Sequence, residues 1–205
     1  MARLPFPENT ITGVYGSMSD YRRKHGLQPH SGTDFAPAGS SRGKTMIPAS
    51  AKGTIKLIQW SNVLGWVIVQ TAWDVNTKKV VYIGYSHISC GTHGVNCKGP
   101  KVHGEHMPID KKVGHKLEEG ADLAIMGNTG SASSGVHLHL TISHTLKGVF
   151  GVTSAKFDFV KWVKTQQKPA VKGATKKAPA PAAAKSVKTQ VRTVYACPHC
   201  KKELK

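Results

Sequence analysis

Long hydrophobic runs are missing from this sequence of 205 residues. No segment approaches the roughly 20 consecutive apolar residues that a membrane-spanning helix requires, which excludes a helical membrane protein. The opening stretch MARLPFPEN has no apolar run after its single arginine. We therefore expect no secretory signal peptide.

Acidic residues are also scarce. The chain has 11 Asp and Glu against 29 Lys and Arg, which gives a formal net charge of +18. A charge this high predicts attraction to polyanions. However, no helix-turn-helix, RNP motif or set of zinc fingers is recognisable, and many lysines lie in a low-complexity stretch. We therefore expect no specific recognition of nucleic acid.

Large apolar residues become rare near the C-terminus. Residues 166–192 consist mainly of Ala, Pro and Lys, which predicts an extended, flexible and basic linker. Residues 193–205 follow as a short tail that contains the sequence CPHC. Its Cys197 and Cys200 form half of a zinc ribbon, and the chain has no second pair with this spacing. They are candidate ligands of a second metal if His199 or another copy of the chain completes the site, and otherwise the tail binds none.

Residues 1–165 have the pattern of a single β domain. Short Val- and Ile-rich runs such as GWVIVQTAW and KKVVYIGYSHI are separated by Gly and Asn, as in strands and turns. No long apolar helical period is present, so we predict a mainly antiparallel β fold. Residues 90–112 are rich in Gly, His and Lys and are predicted to form either a loop inserted near the functional site or a disordered insertion. Its Cys90 and Cys97 could pair, bind metal or stay reduced.

Two histidine-bearing segments indicate a metal site. In HSGTDFAPAGS, His30 precedes Asp34 by four positions in a run that cannot be a helix interior. In GVHLHL, His137 and His139 alternate with aliphatic residues, so that both imidazoles lie on one face of a strand. Catalytic zinc takes three protein ligands and one water. His30, Asp34 and one of the paired histidines would complete such a set, and the other would lie beside the water as a base or an electrostatic stabiliser.

These motifs resemble those of the lysostaphin and LytM type zinc endopeptidases of peptidoglycan, the M23 metallopeptidases. HSGTDFAPAGS resembles the H-x-x-x-D segment of the family, GYSHIS its Tyr-x-His-Leu segment, and GVHLHL its H-x-H strand. The similarity covers roughly residues 13–145, and the three motifs occur in the family's order.

The resemblance implies a role for five residues. His30, Asp34 and His139 would be the zinc ligands, and His87 and His137 would be the catalytic pair. The chain departs from the family at one point, because the acidic residue that usually follows the H-x-H strand is absent. Leu140 and Thr141 stand there instead. The partner that would orient His139 is therefore not identified by the sequence.

The implied function is zinc-dependent hydrolysis of the peptide cross-links of bacterial peptidoglycan. Given this substrate, we expect the basic linker to attract anionic wall polymers. The missing signal peptide favours a phage lysin, made in the host cytoplasm and released through a holin-type lesion or carried in the virion. The CPHC tail could then mediate self-association or contact a virion partner. The alternative is a catalytically silent LytM-like module that binds the wall or has a structural role in the virion, although all five expected positions are filled.

Overall fold

The computed structural model describes residues 1–40, 44–89, 111–151 and 153–167. The predicted inserted loop, apart from its last two residues, therefore lies outside the described residues. The same holds for the linker from residue 168 onwards and for the tail with Cys197 and Cys200.

Nine strands form the framework of these described residues, and every pairing between them is antiparallel. They are β1 (Ile11–Gly13), β2 (Thr33–Phe35), β3 (Met46–Pro48), β4 (Gly53–Ser61), β5 (Gly65–Asp74), β6 (Lys79–Ile88), β7 (Lys116–Leu117), β8 (Asp122–Ile125) and β9 (Leu138–Ser143). Seven of them form one sheet in the order β1-β2-β9-β6-β5-β4-β7, and β3 pairs with β8 in a second sheet. The predicted fold class is confirmed.

Apolar clusters lie on both faces of the interior strand β5. Trp66 and Ile68 belong to the main apolar cluster, whereas Val67 and Val69 pack on the other face in a smaller cluster with Val149. Burial on both faces explains why this strand is a continuous apolar run instead of an alternating pattern.

The described residues also contain three short α-helices: α1 (Asp20–Lys24), α2 (Leu146–Val149) and α3 (Phe159–Gln166). The Asp158 side chain accepts a hydrogen bond from the Lys161 backbone N–H and caps α3. Buried residues at Phe159, Trp162 and Val163 give this helix an apolar face. With eight residues, α3 is too short to give a long pattern of apolar residues at helical spacing. This explains why the sequence shows no such pattern. No helix among the described residues is long and apolar enough to span a membrane.

One buried polar network ties the sheet together. The Tyr85 hydroxyl donates a hydrogen bond to Gln70 Oε1 at 2.9 Å and accepts one from the backbone N–H of Ser50 at 2.9 Å. Burial raises the pKa of Tyr85 to about 12, so the hydroxyl keeps its proton. Tyr85 thus has a structural role in the GYSHIS segment, where it fixes the strand that carries His87.

Candidate metal centre

The pairing of β2 with β9 brings Asp34 and His139 together, although they are 105 positions apart in the sequence. The two residues are direct partners across the antiparallel pair, so their side chains lie on the same face of the sheet. His139 Nδ1 lies 2.8 Å from Asp34 Oδ1.

His30 joins this pair from the segment just before β2. Its Nε2 lies 3.1 Å from Asp34 Oδ2 and 3.2 Å from His139 Nδ1. One potential ligand atom from each of the three residues lies within 4.8 Å of the others. The structure thus groups the three side chains that the resemblance implies as ligands.

Two glycines let the backbone approach these side chains. A Cβ atom at Gly13 would lie 3.0 Å from the His30 ring carbon Cε1, and one at Gly32 would lie 2.8 Å from Cε1 of His139. Distances this short require the ring to move. The ligand side chains are therefore confined by the backbone of β1 and of the segment before β2, which fixes their orientation.

The hydrogen bond of His30 defines which ring nitrogen faces the centre. Its Nδ1 lies 3.2 Å from the carbonyl oxygen of Val14. Because a carbonyl only accepts, Nδ1 carries a proton, so Nε2 is the nitrogen that faces Asp34 and His139 and would supply the lone pair to a cation. The ring of His139 has the opposite orientation, because its Nδ1 is the nitrogen that faces Asp34. Two ring nitrogens and a carboxylate therefore converge as electron-pair donors, which is the chemistry of a cation site.

His139 retains one unsatisfied atom. Its Nε2 is buried and has no hydrogen-bond partner among the described residues. Nδ1, the nitrogen that faces Asp34 and His30, would give up its proton to bind a cation, and Nε2 would then carry the ring proton. This tautomer suits a metal ligand. Neither Leu140 nor Thr141 supplies a hydrogen bond to this atom. The structure therefore agrees with the sequence, which lacks the acidic residue that usually follows the H-x-H strand.

His87 reaches the centre through a β-bulge. Tyr85 pairs with Ile68 and Ile88 pairs with Trp66, so two residues of β6 stand opposite one residue of β5. His87 is the second of these two and has a φ of 61°. This backbone conformation is unfavourable for a residue with a side chain and is typical of functional sites. The bulge turns His87 towards the face that carries His139, with ring centroids 5.8 Å apart.

The other ring contacts place His137 beside His87. Their ring centroids are 4.7 Å apart, and His137 Nε2 lies 3.8 Å from Asp34 Oδ1. Nδ1 of His137 lies 2.8 Å from the carbonyl oxygen of Gly135, and Nδ1 of His87 lies 2.7 Å from that of Thr129. Both rings therefore carry the proton on Nδ1 and have a free lone pair on Nε2.

Thr129 is not among the predicted site residues, yet it positions His87. Its hydroxyl donates to the carbonyl of Ile88 and accepts from the backbone N–H of Trp66, while its own carbonyl accepts from His87. The only sequence signal is its place in the Gly-rich run GNTG, which does not distinguish a supporting residue from a loop residue.

The electrostatics keep Asp34 ionised and oppose protonation of His139 and His87. Burial alone would raise the pKa of the Asp34 carboxyl, but its contacts with the ring nitrogens of His139 and His30 hold that pKa well below its ordinary value. Burial lowers the pKa of His139, and burial together with the neighbouring His139 and His137 lowers the pKa of His87 to about 3. At neutral pH the site thus combines the Asp34 carboxylate with the neutral imidazoles of His139 and His87.

No family model and no curated protein matches this chain. Solved structures do match. The structure of LytU is 22% identical, covers 78% of this chain and 90% of its own, and has a TM-score of 0.50. A chain from the SpoIIQ–SpoIIIAH pore-forming complex is 16% identical, covers 82% of this chain and 97% of its own, and has a TM-score of 0.51.

A zinc-containing peptidase from Vibrio cholerae is 20% identical, with a TM-score of 0.47 over 77% of this chain. The match spans 38% of that peptidase and 33% of Helicobacter pylori Csd3. This chain therefore corresponds to about a third of the length of these two proteins. Because LytU and the SpoIIQ–SpoIIIAH complex chain match with TM-scores of 0.50 and 0.51, we conclude that the chain shares their fold.

Proposed function

We propose that this protein is a zinc-dependent endopeptidase that hydrolyses the peptide cross-links of bacterial peptidoglycan, as its resemblance to the M23 metallopeptidases implies. One observation carries the proposal. Three convergent ligand atoms from His30, Asp34 and His139 lie beside two further imidazoles, His87 and His137, whose Nδ1 atoms are held by backbone carbonyls.

The first three residues would hold the metal. Two imidazoles and one carboxylate form a typical protein ligand set for catalytic zinc, with a fourth position open. Zinc bound there would polarise the scissile carbonyl and lower the pKa of water. The donor set of this chain fits the ion because Asp34 is ionised and one ring nitrogen from each of His30 and His139 faces the carboxylate, where both would bind the same cation.

His87 and His137 would move the proton. Each has a free lone pair on Nε2, so each can accept a proton from the attacking water and return it to the leaving amine. Their Nδ1–H groups remain bonded to the carbonyls of Thr129 and Gly135, which keeps the rings oriented during the transfer. Among the described residues that form the site, Asp34 is the only carboxylate, and its proposed role is that of a ligand. Histidine therefore serves as the base.

The proposal is tested by the chemical groups that the protein releases from purified peptidoglycan. A peptidase frees amino groups, whereas a glycosidase frees reducing sugar ends. We expect new amino groups only, complete loss of their release with a chelator, and recovery with about one zinc per chain. Walls with several kinds of cross-bridge should be compared. Release of reducing ends, or activity that the chelator leaves unchanged, would contradict the proposal.

A structural module is the second candidate, since one of the fold matches belongs to a pore-forming complex. The complete set of five histidine and aspartate side chains favours the enzyme. Three further expectations stay predictions. They are a phage lysin, a linker that attracts anionic wall polymers, and a metal or a partner at Cys197 and Cys200.

A further inference from the structure

A pocket of about 590 Å³ has two walls. One wall consists of α1 and the residues that flank it, and the other is the Gly- and Ser-rich loop that precedes His137. Its lining consists of Ser19, Tyr21, Arg22, Leu27, Ser131, Ala132, Ser133 and Ser134. None of these residues belongs to the proposed metal or proton-transfer groups.

Both walls of the pocket are connected to the candidate metal centre. On one wall, Ser133 Oγ lies 3.3 Å from His137 Nδ1. On the other, Arg22 Nη1 donates a hydrogen bond of 2.7 Å to the carbonyl of Gln28, two positions before His30. The backbone N–H of His30 also bonds to the carbonyl of Ser17 at 2.9 Å. The pocket therefore adjoins the segments that carry His30 and His137.

Arg22 is the one charged residue among the described residues that line the pocket. Its guanidinium bonds to a backbone carbonyl, and no carboxylate pairs with it in the described part of the chain. The next residue differs, because Arg23 forms an ion pair with Asp20 at 2.6 Å. Arg22 thus retains N–H donors and an uncompensated charge, which suit a carboxylate.

The other lining groups suit a peptide. Tyr21 and Leu27 are 67% and 43% exposed and offer apolar surface beside the guanidinium. The opposite wall carries the hydroxyls of Ser131, Ser133 and Ser134. A peptide with an acidic group next to an aliphatic segment is complementary to this combination of charge, apolar surface and hydrogen-bonding groups.

We propose that Arg22 binds a free carboxylate on the substrate peptide, away from the scissile bond, so that the enzyme favours cross-links with this carboxylate over amidated ones. The inference rests on the proposed peptidase function. It assigns a specificity role to α1, a short helix that the sequence motifs do not include.

The test uses two synthetic cross-linked peptides that differ only in one group, a carboxylate or a carboxamide. We expect the wild-type full-length chain to favour the carboxylate peptide by about 10- to 100-fold in kcat/KM, mainly through KM. Arg22→Gln should abolish the preference by lowering kcat/KM for the carboxylate peptide, and Arg22→Lys should retain part of it. Arg23→Gln is the matched control and should preserve the full preference.

Binding of both peptides is measured in parallel by calorimetry, so that the two proposals can fail separately. Cleavage of both peptides with equal kcat/KM by the wild type would overturn the role of Arg22 and leave the peptidase intact. Tighter, Arg22-dependent binding of the carboxylate peptide without cleavage would support the subsite and contradict the peptidase. An equal loss of preference in Arg23→Gln would also overturn the inference, because it would indicate a general effect of positive charge.

Discussion

Replacing Asp34 with alanine is expected to remove zinc and to lower the hydrolysis of peptidoglycan cross-links by at least about a thousandfold. Asp34 contacts both His30 and His139 and supplies the only carboxylate to the described ligand set. Without it, two neutral imidazoles remain to hold a divalent cation. Zinc per chain is measured by mass spectrometry after dialysis, together with the release of amino groups.

Asp74→Asn is a suitable control for this variant. Asp74 is buried at the end of β5, and its carboxylate accepts hydrogen bonds from the backbone N–H of Asn76 and from Gln166. Its substitution tests the general cost of losing a buried carboxylate. We expect this control to keep its zinc and its activity. An Asp34→Ala protein that holds one zinc per chain and is fully active would show that Asp34 is not a ligand.

Replacing His137 with alanine is expected to lower activity by about 100- to 10,000-fold while zinc stays bound. His137 lies beside the ligand group, with its Nε2 3.8 Å from Asp34 Oδ1, and is not among the three convergent ligand residues. Its removal takes away a proton acceptor and leaves the metal ligands intact. Metal content and turnover of a cross-linked peptide are measured on the same preparation.

His139→Ala is the matched comparison, two positions along the chain. It should lose zinc and activity together, because His139 Nδ1 is one of the convergent atoms. If the two variants lose zinc to the same extent, the separation of ligand and catalytic roles is wrong. Full activity in His137→Ala would remove this residue from the reaction.

The strand that carries the paired histidines was predictable because side-chain alternation is a local property. Leu138 and Leu140 are fully buried in the main core, while His137 and His139 both lie near Asp34 on the other face. The regular strand begins at Leu138, and His137 forms an isolated bridge with Gly127. This start leaves His137 outside the regular ladder, where it can contact His87.

The position of His87 could not be deduced from alternation. Tyr85 faces the core, so a regular strand would also place His87 in the core. The bulge opposite Val67 reverses its direction, and no residue spacing encodes a bulge of this kind. Only the resemblance of GYSHIS to a family motif indicates a role for His87.

The pairing of distant strands and the backbone hydrogen bonds of the site also could not be predicted from the sequence. Asp34 and His139 become partners only when β2 pairs with β9, and alternation within each strand does not specify this pairing. The carbonyls of Val14, Thr129 and Gly135 orient three of the imidazoles. Every residue carries such a carbonyl, so the sequence does not distinguish these three.

The most direct measurement is zinc-edge X-ray absorption on the full-length protein loaded with one zinc per chain. We expect a shell of nitrogen and oxygen at about 2.0 to 2.2 Å, with scattering from two imidazoles and none from sulfur. A Cys197→Ser, Cys200→Ser double variant should give the same spectrum. A shell dominated by sulfur at about 2.3 Å, or one without imidazole scattering, would contradict a metal centre formed by His30, Asp34 and His139.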